Sequence, residues 1–141
     1  MKANQTNQVK SKPTMLMDHD EDPKEKIFEA VGDLSDIEVF GNWVLLGVYE
    51  RPEKTKSGLY LSDVTRKEDE HQGKCGLVLK KGPSAFVSDD NYNFRGLSVE
   101  AGDWCAMFVT DGRKIKIKGQ LCRMVEDMHI RMRVSSPDVV Y

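Results

Sequence analysis

Apolar positions in this chain gather in short segments that are separated by glycine and aspartate. Six of these segments are rich in Val, Leu, Ile and aromatic residues, as β-strands are. In RKIKIKG the alternation is strict and places Ile115 and Ile117 on one face. Short strands between turn signals predict an all-β barrel or sandwich. The predicted strand segments are residues 37–50, 73–82, 103–110, 113–119, 120–127 and 129–136.

A helical pattern precedes the first strand segment. Asp22 is a suitable N-cap, and Pro23 suits the first helical position. The pattern therefore predicts a short helix within residues 22–36. Residues 1–21 are polar and poor in aromatic side chains, which predicts a flexible or partner-ordered arm. The apolar positions at helical spacing are Ile27, Phe28, Val31 and Leu34.

Two long connections interrupt the strand pattern. Connections of this length are usually functional or unstructured. The first, residues 51–72, is highly charged but contains three consecutive large apolar residues directly after Gly58. The second, residues 82–100, is less charged, and its aromatic side chains are expected to plug the core beneath it. Those aromatic residues are Phe86, Tyr92 and Phe94.

Composition limits the classes of function. The chain has 141 residues, enough for one ordinary domain, and its formal net charge is −2. A near-neutral chain lacks the clustered positive field that nucleic acids and anionic membranes attract, so neither is expected as a partner. No apolar run approaches the length of a membrane span, and the polar N-terminus predicts no secretory signal. The three cysteines are widely spaced, which predicts no disulfide framework and a reducing, cytoplasmic compartment.

Residues for catalysis or metal binding are not grouped in the sequence. The histidines, His19, His71 and His129, are scattered, and no C-x-x-C motif occurs. The acidic residues around His19 lack the glycine and the bidentate glutamate of a calcium loop, which favours a solvated acidic arm. We therefore expect no catalytic residue, no metal ion and no cofactor, and we predict that the protein is not an enzyme.

The order of motifs between residues 37 and 134 resembles the co-chaperonin family of the GroES type. A strand leads into RPEKTKSGLYLSD, and GKCGLVLKKG follows the charged segment, as the mobile loop and the returning strand do in that family. VEAGDWCAMF and IKIKGQLCRMVEDMHI resemble its later strands. The matching positions are Gly76, Val78, Gly82, Val99, Gly102, Asp103, Phe108, Glu126, Asp127 and Ile130.

The resemblance implies a GroES-like irregular β-barrel over residues 37–141, with a mobile-loop-like segment at 51–72. Members of the family form heptamers that cap a chaperonin ring and assist protein folding. Each mobile loop docks an apolar tripeptide into the ring, so the implied partner-binding residues are Gly58, Leu59, Tyr60 and Leu61.

The chain also departs from the usual family pattern. Residues 1–36 and the tail SSPDVVY have no counterpart in the short family members, and the tripeptide is Leu-Tyr-Leu rather than Ile-Val-Leu. Two alternatives therefore stay open. The protein could be a bacteriophage virion structural protein, a capsid decoration or connector component that reuses the barrel, located in the virion. The tripeptide could also be an ordered strand that packs on its own barrel or on a neighbouring subunit.

Overall fold

The computed structural model describes residues 16–71, 74–108 and 110–140. The described residues form two α-helices, α1 (Pro23–Val31) and α2 (Asp63–His71). The strands are β1 (Trp43–Val48), β2 (Cys75–Lys81), β3 (Trp104–Ala106), β4 (Arg113–Ile117), β5 (Gln120–Glu126) and β6 (Arg133–Val134). Short 3₁₀ helices span Asp127–His129 and Pro137–Val140.

All six strands form one antiparallel sheet in the order β4-β5-β1-β2-β3-β6. The sheet is open, because no pairing within the described residues joins β4 to β6. A β-bulge shifts the β1–β2 register between Leu45 and Leu46. The prediction of an all-β fold is therefore confirmed at the level of a mostly antiparallel sheet with few helices.

The first and last strands are shorter than the sequence pattern predicts. Residues 37–42 do not join the first strand, because Gly41 adopts a φ of +58° and the chain turns there. Gly82 lies so close to this turn that a Cβ atom on it would lie 2.2 Å from the Gly41 carbonyl oxygen. Of residues 129–136, only Arg133 and Val134 form a strand, since His129 ends a 3₁₀ helix and residues 130–132 are irregular.

Strand β1 is buried on both faces, which explains its unbroken apolar sequence. Alternate side chains point to opposite faces of a strand, so its apolar residues divide between two cores. One core contains Val44, Leu46 and Val48, and the other contains Leu45 and Tyr49.

Helix α1 covers the second of these cores. The Asp22 side chain accepts a hydrogen bond from the Lys24 N–H and caps the helix. Ile27 and Val31 are buried against the sheet. At Gly47 the helix and the strand approach closely, because an added Cβ would lie 2.6 Å from Ile27 Cγ2. A larger residue at position 47 would separate the two elements.

The long connection at 82–100 covers the opposite core. Phe86 is buried there, and Phe94 is half-buried with its ring edge-on to Phe86 at a centroid distance of 5.6 Å. The Tyr92 ring contacts Phe94 in a tilted arrangement, with a centroid distance of 4.5 Å, but Tyr92 is exposed. Phe86 is therefore a core residue, Phe94 packs against it, and Tyr92 contributes only to the surface.

The prediction of a continuous loop at 51–72 is wrong, since helix α2 occupies its second half. The Ser62 hydroxyl accepts a hydrogen bond from the Thr65 N–H and donates one to Thr65 Oγ1. Ser62 thus provides the side-chain acceptor that a helix N-terminus needs. The segment that follows has no glycine or proline before residue 73, so nothing in it interrupts a helix. High charge density does not by itself indicate a loop, because Lys, Glu and Arg are good helix formers.

Candidate partner-binding site

The tripeptide lies on a small hairpin formed by residues 53–61, which we call the tip hairpin. Lys54 pairs with Tyr60 in an antiparallel bridge. The Thr55 N–H donates to the Leu59 carbonyl oxygen at 2.7 Å, and the Leu61 N–H donates to the Glu53 carbonyl oxygen at 2.8 Å. The first part of the long connection is therefore folded back on itself.

A tight turn at residues 55–58 closes the tip hairpin. The Gly58 N–H donates to the Thr55 carbonyl oxygen at 3.0 Å, and Gly58 has a φ of +93°. Glycine adopts this conformation without the steric cost that other residues carry. Thr55 is 2% exposed, and its Oγ1 accepts a hydrogen bond from the Leu59 N–H. One buried hydroxyl thus fixes the backbone immediately before the apolar residues.

Two of the three apolar side chains of the tripeptide project into solvent. Leu59 is 64% exposed and Tyr60 is 69% exposed, while Leu61 is half-buried. The Lys54 ammonium lies 5.9 Å from the centroid of the Tyr60 ring. Exposed large apolar residues next to one another are a feature of binding surfaces. The tip hairpin therefore displays Leu59 and Tyr60, and Leu61 contributes mainly to its base.

The described end of the predicted arm pairs with the tip hairpin. Residues 16–19, which we call the strap, run antiparallel to residues 54–56. The Asp18 N–H donates to the Lys54 carbonyl oxygen at 2.8 Å, and the Lys56 N–H donates to the Leu16 carbonyl oxygen at 2.8 Å. The strap is thus a third strand-like segment beside the hairpin.

A buried carboxylate holds the other side of the strap. Asp138 accepts hydrogen bonds from the Tyr49 hydroxyl at 2.6 Å and from the Met17 N–H at 3.2 Å. His19 Nε2 lies 3.2 Å from Asp138 Oδ2 and 3.2 Å from the Tyr49 hydroxyl. His19 is half-buried in this cluster, whereas the acidic residues around it, Asp18, Asp20 and Asp22, are exposed, as a solvated acidic arm predicts.

Sequence reasoning did not find this cluster. Positions 19 and 138 are separated by most of the chain, and neither lies in a motif that would suggest a contact. Met17 and Thr55, the bridged pair, are both fully buried although charged residues adjoin each of them in the sequence. Only the tertiary structure brings the two segments together.

The three cysteines are buried within or beside the sheet. Burial raises the pKa of Cys75 to about 12 and the pKa values of Cys105 and Cys122 to about 11. A thiol with so high a pKa is protonated at neutral pH and is a poor nucleophile or metal ligand. Within the described residues, no group of three or more His, Cys, Asp or Glu side chains could hold a metal ion.

No helix in the described part of the chain is both long enough and apolar enough to cross a membrane.

No protein-family model matches the sequence, and a comparison with curated proteins gives no match.

Proposed function

We propose that the protein is a non-enzymatic co-chaperonin: an oligomeric lid that binds a chaperonin ring through the tip hairpin and assists protein folding. The observation that carries the proposal is the display of Leu59 and Tyr60 on a hairpin closed by Gly58. The order of motifs in the sequence, which resembles the GroES type, supports it. That resemblance further implies that the antiparallel sheet belongs to an irregular barrel and that the barrels assemble into a heptamer in the cytoplasm.

The energetics of the tip hairpin are consistent with repeated, reversible binding. Burying one large apolar side chain contributes about 1.5–3 kcal/mol. Fixing the backbone of each residue of a flexible loop costs roughly 1–2 kcal/mol, so a disordered loop would bind weakly. A folded hairpin loses less conformational entropy when it docks. Several copies on one ring would then bind strongly together through their high effective concentration, while each contact stays individually weak.

A second candidate function is a structural component of a bacteriophage virion. The folded tip hairpin and helix α2 favour it, because an ordered loop is also suited to a permanent contact within a larger assembly. The open sheet has two edge strands, β4 and β6, that could pair with neighbouring copies. In this case the same apolar side chains would contact another virion protein rather than a chaperonin.

Native mass spectrometry separates these two functions. The purified protein is measured alone and after mixing with a bacterial chaperonin, with and without ATP. A lid should form a ring that joins the chaperonin only when nucleotide is present. A small oligomer that never joins the chaperonin would contradict the lid and direct the search to virion assemblies.

Substitutions in the tip hairpin test the proposed contact. Leu59→Glu and Tyr60→Glu place a charge where an apolar groove is expected, so each should abolish chaperonin binding and leave the ring intact. Val87→Glu is the matched control, since Val87 is a similarly exposed apolar residue on the other long connection. Normal binding by the Leu59→Glu variant would remove the tip hairpin from the proposal.

A further inference from the structure

The strap and the tip hairpin share a buried pair of residues. Met17 and Thr55 face each other in an antiparallel bridge, and both are removed from solvent. The hydrogen bonds on each side of the bridge join Asp18 to Lys54 and Lys56 to Leu16. Thr55 also fixes the turn, because its Oγ1 accepts the Leu59 N–H. The strap therefore covers the residue on which the geometry of the tip hairpin depends.

Asp138 holds the strap on the side away from the tip hairpin. This residue is only 5% exposed, and two of the contacts of its side chain, the Met17 N–H and the His19 ring, belong to the strap. The third, the Tyr49 hydroxyl, comes from the residue directly after β1. A carboxylate held this way provides charge-assisted hydrogen bonds, which are stronger than neutral ones. The C-terminal 3₁₀ helix, Pro137–Val140, thereby anchors the strap from the far end of the chain.

We propose that the strap is an intramolecular switch for the tip hairpin. Docked on Asp138, the strap holds residues 53–61 in the folded hairpin; released, it lets them become a flexible loop. The docked state favours partner binding, because less conformational entropy is then lost on binding. The effect on partner binding rests on the proposed function, whereas the coupling between strap and hairpin does not.

Other charged groups lie beside His19 and Tyr49, two of the contacts of Asp138. Glu50, Asp20, Glu21 and Lys26 line the same cavity as His19 and Tyr49. The switch does not depend on their titration, since it requires only the contacts made by Asp138.

Amide hydrogen exchange measures the coupling without any partner. The Asp18 and Lys56 amides report strap docking, the Thr55 and Leu61 amides report the hairpin, and the Gly82 amide, which donates to the Trp43 carbonyl, reports the sheet. In His19→Ala and Asp138→Asn, strap and hairpin amides should both exchange faster, by roughly tenfold for one lost charge-assisted hydrogen bond. The Gly82 amide should be unchanged.

The contrary results are equally clear. If the strap amides exchange faster while Thr55 and Leu61 keep the wild-type rate, the two segments are independent and the switch is refuted. If Asp138→Asn also accelerates exchange at Gly82, that variant acts through global stability, and His19→Ala decides the question.

A reversible lock provides the opposite perturbation. The hydrogen bonds on both sides of Met17 and Thr55 identify them as a non-hydrogen-bonded pair, whose Cα atoms lie about 4.5 Å apart. That separation is compatible with a disulfide. In the double variant Met17→Cys/Thr55→Cys, oxidation should slow amide exchange at Leu61 relative to the same variant in its reduced form. Reduction should return the exchange rate to that of the reduced variant. No change at Leu61 on oxidation would overturn the proposal.

The locked variant also connects the switch to the proposed function. Oxidised protein should bind the chaperonin more tightly than reduced protein, and His19→Ala should bind less tightly than wild type. If no form binds a chaperonin, the proposed function fails while the exchange results still decide the switch. A disulfide that joins two chains, detected as a covalent dimer, would show that the strap docks on a second copy and would overturn an intramolecular switch.

Discussion

At the scale of single residues, buried carboxylates hold the connections of this protein in place. Asp127 is 3% exposed; its Oδ2 accepts the Phe86 N–H at 2.9 Å, and its Oδ1 accepts a hydrogen bond from the Asn42 side chain at 3.1 Å. Phe86 has a φ of +61°, which is unusual for an aromatic residue. Asp127 therefore stabilises a strained backbone position at which the long connection enters the core.

Replacing Asp127 with alanine should lower the free energy of unfolding by about 1–3 kcal/mol, because the buried Phe86 N–H loses its acceptor. Urea denaturation measures this change. Asp90→Ala is the control; Asp90 is exposed on the same connection, and its replacement should change the stability by less than about 0.5 kcal/mol. Equal effects of the two substitutions would show that the Asp127 contacts contribute little.

The cysteine thiols should not react with maleimide in the native protein at neutral pH. Burial raises their pKa values to about 12 for Cys75 and about 11 for Cys105 and Cys122, so almost no thiolate is present. In denaturant all three should be labelled, and intact-protein mass spectrometry counts the adducts. Rapid labelling of any one thiol without denaturant would contradict the packing described here.

At the scale of elements, an ion pair reinforces the short edge strand β6. The Arg133 guanidinium donates to Asp103 Oδ2 at 3.0 Å and to the Ser98 carbonyl oxygen at 2.7 Å. Burial alone would raise the pKa of Asp103, but hydrogen bonds from the Glu100 N–H and from Arg133 outweigh it and lower this pKa. The backbone pairing of β6 with β3 involves only two residues of β6, and the contact between Arg133 and Asp103 reinforces it.

The stabilisation of β6 should be lost in acid. A carboxyl group whose pKa is lower in the folded state stabilises the fold above its unfolded pKa of about 3.9 and loses this effect as the pH falls towards the folded value. Above about pH 4, the Ala106 amide, which donates to the Met132 carbonyl, should exchange more slowly in wild type than in Asp103→Asn. As the pH falls further, through the lowered pKa of Asp103, the difference should diminish and then vanish after correction for intrinsic rates. A difference that persists in acid would exclude Asp103 as the cause.

At the scale of the whole molecule, the open sheet leaves two edges that must be protected against uncontrolled pairing. The β4 edge is rich in cationic residues, and its side chains are exposed along most of the strand. Ile115 is exposed between them. Lysine on an edge strand opposes association because its charge would have to be desolvated. We therefore expect the β4 edge to pair with another strand only where the partner neutralises the positive charge of these side chains.

Replacing Lys116 with valine should promote self-association through the β4 edge. Sedimentation velocity over a series of concentrations measures the effect, and the variant should form larger species than wild type at the same concentration. Lys67→Val is the control, because Lys67 lies on helix α2 rather than on a sheet edge. If the Lys116→Val variant and wild type sediment alike, the charge of the β4 edge does not prevent self-association.

Much of the fold was predictable because the relevant signals are local. Asp22 and Pro23 mark the start of α1, and six apolar segments between turn residues correspond to six strands. The sequence also shows the apolar tripeptide after Gly58, whose role as a binding segment is implied by the resemblance to the co-chaperonin family and stays a prediction. Helix α2 is predictable from helix propensity, but a charged segment without apolar periodicity does not show a helical pattern.

The sequence by itself determined the local elements and the apolar tripeptide, because caps, turns and strand patterns are set by neighbouring residues. Only the tertiary structure decided which strands lie at the edges and which side chains of the tripeptide are exposed. It also explains the apolar sequence of β1, which is buried on both faces. It alone joined His19 to Asp138 and placed the strap on the tip hairpin. These contacts link residues far apart in the chain, and no local pattern encodes such a pairing, because its free energy depends on how the whole sheet is packed.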